Sequence, residues 1–302
     1  MAAGVRGKAG ILGVPLDLGS NRRGTDMGPS AMRYARLVES LTRIGWEVRD
    51  FGNVSFPVME QLAEGSPRVR YRDAVARVAE EVAQAVGRIL EDGYLPVVLG
   101  GDHSTSLGAV AAIRRHFPDV GVLWVDAHAD CNTPETTPSG NVHGMVLACL
   151  LGEGDPGLVQ VGGFAPKVRP SAVALVGLRE VDPGEREVLR RMRPLVFTMK
   201  DVDERGLAAV MREAIEAVGR GGRIHLSLDL DAVDPQYAPG VGTPVPGGLT
   251  YREAHLAMEL LAESGKLTSV EVVELNPILD DHNRTAQLAV ELLSSALGKR
   301  IL

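Results

Sequence analysis

Four short segments of this chain gather acids and histidines at spacings that suit metal chemistry. They are Gly100-Gly101-Asp102-His103-Ser104, Asp126-Ala127-His128-Ala129-Asp130, Asp229-Leu230-Asp231 and Glu274-Leu275-Asn276-Pro277. In extended chain, residues two apart point to one side. Asp126 and His128 should therefore project together, with Asp130 a third candidate, and so should Asp229 and Asp231. His103 completes a set of two imidazoles and four carboxylates. On one rim, four carboxylates would repel one another and be driven to protonate at neutral pH. Two divalent cations would cancel those charges, acidify a shared water and clamp nucleophile and electrophile together. The donors are oxygen and nitrogen with no thiolate required, which suits Mn²⁺ and is less typical of structural Zn²⁺. Fe²⁺, Co²⁺, Ni²⁺ and Zn²⁺ stay open, because Mn²⁺ stands at the weak end of the affinity series. The chemistry expected of such a centre is hydrolysis.

A single aspartate at a strand end is more often a helix cap or a turn former than a ligand. Asp102 reads as a cap for the helix that starts near Ser104, and Asp234-Pro235 reads as a turn. Five acids and histidines at alternate positions after two strands, with Gly-Gly-Asp-His after a third, are much harder to dismiss. His116, His225, His255 and His282 have no such company and read as surface or core residues. Cys131 adjoins the cluster but should point away from it.

The elements that must position these segments alternate along the chain. Candidate strands lie at 11–15, 47–51, 95–99, 121–125, 172–177, 194–197, 224–228 and 269–273, and most are apolar runs without polar alternation, as strands buried on both faces are. Helical patterns fill 28–43, 68–91, 104–116, 184–191, 201–218, 250–264 and 283–297. Gly- and Pro-rich stretches at 133–144, 152–170 and 234–248 read as loops. The alternation predicts one doubly wound parallel sheet, with sites just beyond the carboxyl ends of its strands. The 302 residues form a single expected domain, 1–302, with no linker or repeat. No apolar run is long enough to span a membrane, and the N-terminus lacks a signal-peptide pattern. Two cysteines, Cys131 and Cys149, build no disulfide framework, and a net charge of −7 without basic clusters speaks against nucleic acid. A cytoplasmic protein is expected.

The motifs carry a family resemblance. Gly100 to His103, Asp126 to Asp130 and Ser227-Leu228-Asp229-Leu230-Asp231-Ala232-Val233-Asp234-Pro235 resemble the three signature segments of the ureohydrolase (arginase/agmatinase) family. The likeness runs from Gly13-Val14-Pro15 through Arg23-Gly24-Thr25-Asp26-Met27-Gly28-Pro29 to Asn276-Pro277. It implies a three-layer α/β/α sandwich around a mainly parallel eight-stranded sheet, the arginase/deacetylase-like fold. It also implies hydrolysis of a guanidino group to urea at a binuclear Mn²⁺ centre. By this resemblance, His103, Asp126, Asp130 and Asp229 hold one ion, and Asp126, His128, Asp229 and Asp231 hold the other. A hydroxide between the metals attacks the guanidinium carbon.

The stretch from Asn132 to Gly144 resembles the arginase version, in which Asn and Ser side chains receive the substrate's α-carboxylate; Asn132, Ser139 and Asn141 are the residues implied. Arg179-Glu180-Val181-Asp182-Pro183-Gly184-Glu185 matches the segment whose Asp, here Asp182, meets the α-amino group. Thr243, in Gly242-Thr243-Pro244, joins the substrate-binding set. Glu274 is implied to hold the guanidinium, a charge-assisted contact. His143 is implied to pass a proton to the leaving amine. From spacing alone, His143 would read as a packed loop histidine and Ser139-Gly140-Asn141 as a turn; the resemblance reverses both. Departures are Ala129, Leu275 and Glu180, none of which removes a functional atom. Hydrolysis of L-arginine to L-ornithine and urea is the leading expectation, in a homotrimer or homohexamer. The alternatives are another amidinohydrolase acting on agmatine or a guanidino acid, or a non-enzymatic metal or amino-acid binding protein on this fold. A two-metal phosphoesterase is disfavoured because basic residues for phosphate are missing near the motifs.

Overall fold

The apolar runs become one eight-stranded sheet in the computed structural model, which describes residues 6–300. Residues 1–5 and 301–302 are outside the described residues, and with them most of the N-terminal signal reading and the two ends of the expected 1–302 domain. The strands are β1 (Gly7–Gly13), β2 (Trp46–Asn53), β3 (Leu95–Leu99), β4 (Gly121–Val125), β5 (Val173–Leu178), β6 (Leu195–Thr198), β7 (Ile224–Asp229) and β8 (Leu267–Val273). Their spatial order is β2-β1-β3-β8-β7-β4-β5-β6. The sheet was expected to be mainly parallel; every pairing in it is parallel.

Both faces of the central strands are covered, which is why those strands show unbroken apolar runs, whereas the edge strand β2 is polar and has no buried residue. Along β4, Leu123 and Val125 pack into a core with helices α1 (Gly28–Tyr34), α2 (Leu37–Arg43), α9 (Leu207–Val218), α10 (Tyr251–Glu263) and α11 (Arg284–Ala296). Val122 and Trp124 face the other way, toward α3 (Arg72–Glu91), α4 (Ser106–His116), α5 (Val146–Leu151) and α7 (Pro183–Met192). Two helix layers thus sandwich the sheet. In α3, Val75, Val78, Val82, Val86 and Ile89 recur at three- and four-residue steps and are all buried, the stripe an amphipathic helix turns to its core.

The differences from the sequence reading have local causes. The helix expected over 28–43 breaks between α1 and α2, where Arg36 takes a left-handed φ of 64°. The one expected over 201–218 breaks at Gly206 (φ 78°), so that α8 (Met199–Arg205) precedes α9. Residues 65–70, the last three of them expected to open α3, instead pair Gly65–Ser66 with Val69–Arg70 in a small hairpin. Strand β1 starts and ends earlier than 11–15. The 152–170 stretch contains the single turn α6 (Pro156–Val159), and α5 was not foreseen.

The strand order matters most for function. The four strands that run into the motif segments, β3, β8, β7 and β4, are consecutive in the middle of the sheet. Being parallel, they deliver all four segments to the same edge. Among the described residues no helix is long and apolar enough to cross a membrane.

Candidate metal centre

At that edge the six candidate ligands converge. His103 Nδ1 lies 3.2 Å from Asp126 Oδ2, 2.9 Å from Asp130 Oδ2 and 3.2 Å from Asp229 Oδ2. His128 Nδ1 lies 2.9 Å from Asp231 Oδ2 and 3.6 Å from Asp126 Oδ1. Two groups suited to a metal ion result, His103–Asp126–Asp229 and Asp126–His128–Asp231, with donor atoms in each within 4.8 Å of one another. Asp126 belongs to both, so it can bridge.

The residues meet, but not by the extended-chain alternation that predicted it. β4 ends at Val125, and the 126–130 segment is a turn in which Asp130 takes φ 50°. That left-handed step sends Asp130 to the His103 side while His128 goes to the Asp231 side. β7 likewise ends at Asp229, and residues 230–232 form a 3₁₀ turn whose first bond runs from the Asp231 amide to Asp229 Oδ1 at 2.8 Å. Each ligand is further tied down. His103 Nε2 meets Ser227 Oγ at 2.8 Å, and its ring stacks on Trp124 with centroids 4.2 Å apart. Trp124 Nε1 donates to Asp126 Oδ2 at 3.0 Å, and the Ala127 amide donates to Asp231 Oδ1 at 3.1 Å. Ser227 and Trp124 were not singled out in the sequence. Both stand two residues before a ligand, Ser227 on the same strand as Asp229 and Trp124 as the next-to-last residue of β4, before Asp126.

Electrostatics say what this cluster wants. Burial and the neighbouring Asp231 and Asp126 push Asp229 well above the usual carboxylate range. Burial and Asp126 raise Asp130 to about 6, and burial with Asp126 raises Asp231. Asp126 goes the other way: burial opposes its charge, but the neighbouring imidazoles of His103 and His128 hold it well below the ordinary value. Burial would lower both imidazoles, yet the carboxylates around them hold His103 and His128 well above neutrality. His103 Nδ1, though buried among three carboxylates, satisfies no hydrogen-bond geometry. Buried polar atoms are rarely left in that state. A nitrogen facing three anionic oxygens with nothing bonded between them is an arrangement a cation resolves, and the hard oxygen and imidazole donors fit a divalent ion.

Of the implied substrate residues, Glu274 and Thr243 bond directly to residues of this centre. Glu274, at φ 65° just past β8, receives the His103 amide (2.7 Å) and His143 Nδ1 (3.0 Å) on Oε1. Its Oε2 has no hydrogen-bond partner among the described residues and faces Gly242. Burial would lower His143, but Glu274 more than reverses that and lifts it to about 9. Asn132 Nδ2 donates to Asp182 Oδ2 at 2.9 Å, joining two implied recognition residues from distant segments. Thr243 Oγ1 donates to Asp231 Oδ2 at 3.0 Å. Ser139 and Asn141 stay in their own turn, where Ser139 Oγ accepts the Asn141 amide. Gly140 between them has φ 76°, and a Cβ there would lie 2.0 Å from Pro67 O. Its carbonyl accepts the Arg70 amide, so the 65–70 hairpin supports this loop.

The remaining expectations can be placed as well. Asp102 caps the turn beginning at His103 through the Ser104 amide and also binds the Gly19 amide. Asp234 caps Gln236 and the Gly247 and Gly248 amides. Cys131 is buried. His116 and His282 are exposed, while His225 and His255 are buried against Ser269 and Ser295.

Comparison with known proteins finds likeness over nearly the whole chain. A model of the Arginase family matches residues 7–298. The arginase of Bacillus caldovelox is 51% identical over 97% of this chain and 98% of its own length. Its native structure at pH 5.6 superposes with a TM-score of 0.95, at 50% identity, covering 98% of this chain and all of that one. The arginase of Bacillus subtilis strain 168 is 47% identical over 97% of this chain and 98% of its own. The arginase of Entamoeba histolytica in complex with L-ornithine is 30% identical, with a TM-score of 0.90 over 98% of this chain and all of that one. Likeness of sequence and of fold over nearly the whole described length leaves one conclusion, that the chain belongs to the arginase family.

Proposed function

We infer that this protein is an arginase, an enzyme that hydrolyses L-arginine to L-ornithine and urea. The observation that carries the reading is the meeting of Asn132 and Asp182 beside a centre that also holds Glu274 and His143. A guanidinium carbon is a poor electrophile because its charge is delocalised. When bound, two divalent cations supply a nucleophile of hydroxide strength at neutral pH. His103, Asp126, Asp130 and Asp229 would hold one, and Asp126, His128, Asp229 and Asp231 the other. The oxygen-rich set supports Mn²⁺, two per chain.

The chain's own side chains do the rest. Glu274 Oε2 pairs with the guanidinium and fixes its carbon at the centre. Asp182 takes the α-ammonium, with Asn132 orienting its carboxylate. Asn132, Ser139 and Asn141 receive the α-carboxylate, and Thr243 keeps Asp231 in register. With Nδ1 held by Glu274, His143 has Nε2 to exchange a proton with solvent and deliver it to the departing amine. Its raised pKa keeps it a proton donor at neutral pH. Residues 1–302 act as one domain, and we place the enzyme in the cytoplasm as a homotrimer or homohexamer.

The test is urea release from L-arginine and from agmatine, with Mn²⁺-loaded and chelator-stripped protein. Metal-dependent turnover of arginine is expected. Turnover of agmatine instead would keep the centre and overturn the recognition of the α-carboxylate.

A further inference from the structure

Arg179 is the first residue after β5, and its guanidinium is turned into the rim of the centre. Among the described residues it forms no salt bridge. All its side-chain hydrogen bonds go to backbone carbonyls. Nη2 donates to Asp231 O at 2.6 Å and to Val245 O at 2.7 Å. Nε donates to Val245 O at 3.1 Å, and Nη1 to Ala232 O at 3.2 Å and Gly177 O at 3.3 Å. The amides of Arg179 and Glu180 also donate to Ala127 O, at 2.9 and 3.1 Å. Gly248 leaves room for the fork, since a Cβ there would lie 2.6 Å from Nη2.

The segments gathered in this way flank one half of the candidate centre. One carries Asp126 and His128, the second Asp231, and the third Thr243, whose hydroxyl meets Asp231 Oδ2. None of these bonds reaches His103 or Asp130. A guanidinium offers its donors in a rigid plane and keeps its charge, so it can hold several carbonyls at fixed spacing where a flexible ammonium cannot. We propose that Arg179 is the positioning residue of the His128–Asp231 half of the centre. It fixes the distance between the 126–128 and 231–232 turns and sets the affinity of that cation site, the other being reached only through the shared Asp126 and Asp229.

This assignment rests on the binuclear reading given above, and the test separates the two. Metal-free wild type, R179K and R179Q are titrated with Mn²⁺, and bound metal is counted by equilibrium dialysis. H128N identifies which binding step belongs to the His128 side. Wild type should bind two ions. In R179K, which keeps the charge but loses the fork, the His128-side affinity should fall about tenfold or more, the scale seen for outer-shell changes. The His103-side affinity should stay within about twofold, and urea release should recover at high Mn²⁺. R179Q should follow the same pattern; should it not fold, R179K decides. Two unchanged sites in R179K, or equal weakening of both with a lowered melting temperature, would overturn the role of Arg179 while leaving the binuclear centre intact. Fewer than two ions in wild type would overturn the binuclear reading and this assignment with it.

Discussion

Replacing Asp182 by Asn tests the substrate reading at its most specific point. Asp182 stands at the N-cap of α7, its amide is received by Glu185 at 2.9 Å, and its Oδ2 accepts from Asn132. Asn keeps the shape and one acceptor oxygen, which can serve the cap, while the negative charge and the second acceptor go. A hydrogen bond to a charged partner contributes roughly 1.5–3 kcal/mol. At about 1.4 kcal/mol per decade, that is roughly a 10- to 150-fold loss in kcat/KM for L-arginine. Asp182 is half-buried, so the lower part of that range is expected. The desamino analogue of arginine keeps the guanidinium and the carboxylate but lacks the ammonium that Asp182 addresses, and its turnover, however small, should change less than about threefold. D182A should add a loss of about 1 kcal/mol in stability, because it removes the cap as well. Initial-rate urea assays on both substrates, with thermal melts of both variants, make the comparison. Equal losses on arginine and its desamino analogue in D182N would refute the assigned contact, since a group that reads the α-ammonium cannot matter equally to a substrate without one.

Two further outcomes follow from the same geometry. His143 has its folded pKa raised from 6.5 to about 9, so its pairing with Glu274 stabilises the metal-free protein fully below pH 6.5. That contribution is lost as pH rises through 9, and it amounts to at most about 3 kcal/mol for such a shift. Denaturant melts in chelator should therefore show wild type losing stability relative to H143N between pH 6.5 and 9; parallel curves would contradict the pairing. Gly140→Ala forces a left-handed alanine against Pro67 O. It should cost about 1 kcal/mol or more and raise KM for arginine several-fold with kcat less affected, and an unchanged KM would detach this loop from substrate binding.

Much of the site was legible because its chemistry is local. An aspartate just past an apolar strand, with a histidine two residues on, is a pattern in the letters themselves. The residue types fixed the donor set before any coordinate was known. The reason for their convergence was less well read. Asp130 and Glu274 arrive through left-handed backbone steps at φ 50° and 65°, and no extended-chain alternation contains these. Such steps cost energy for residues with side chains and persist where surrounding contacts impose them. Helix breaks were missed for a related reason: Arg36 takes a left-handed conformation that its residue type does not advertise.

By itself the sequence determined which side chains can hold a divalent pair, which carboxylate and histidine accompany them, and that parallel strands carry them to one edge. Only the tertiary structure decided that β3, β8, β7 and β4 are neighbours. Strand order is set by how two helix layers pack over the sheet and not by any one segment. It also decided that Asp126 faces both imidazoles, and that Arg179 binds carbonyls of three separate segments. A side chain paired with another side chain leaves two letters to find. A backbone carbonyl is the same at every residue, so a guanidinium that bonds only carbonyls has no partner written in the sequence.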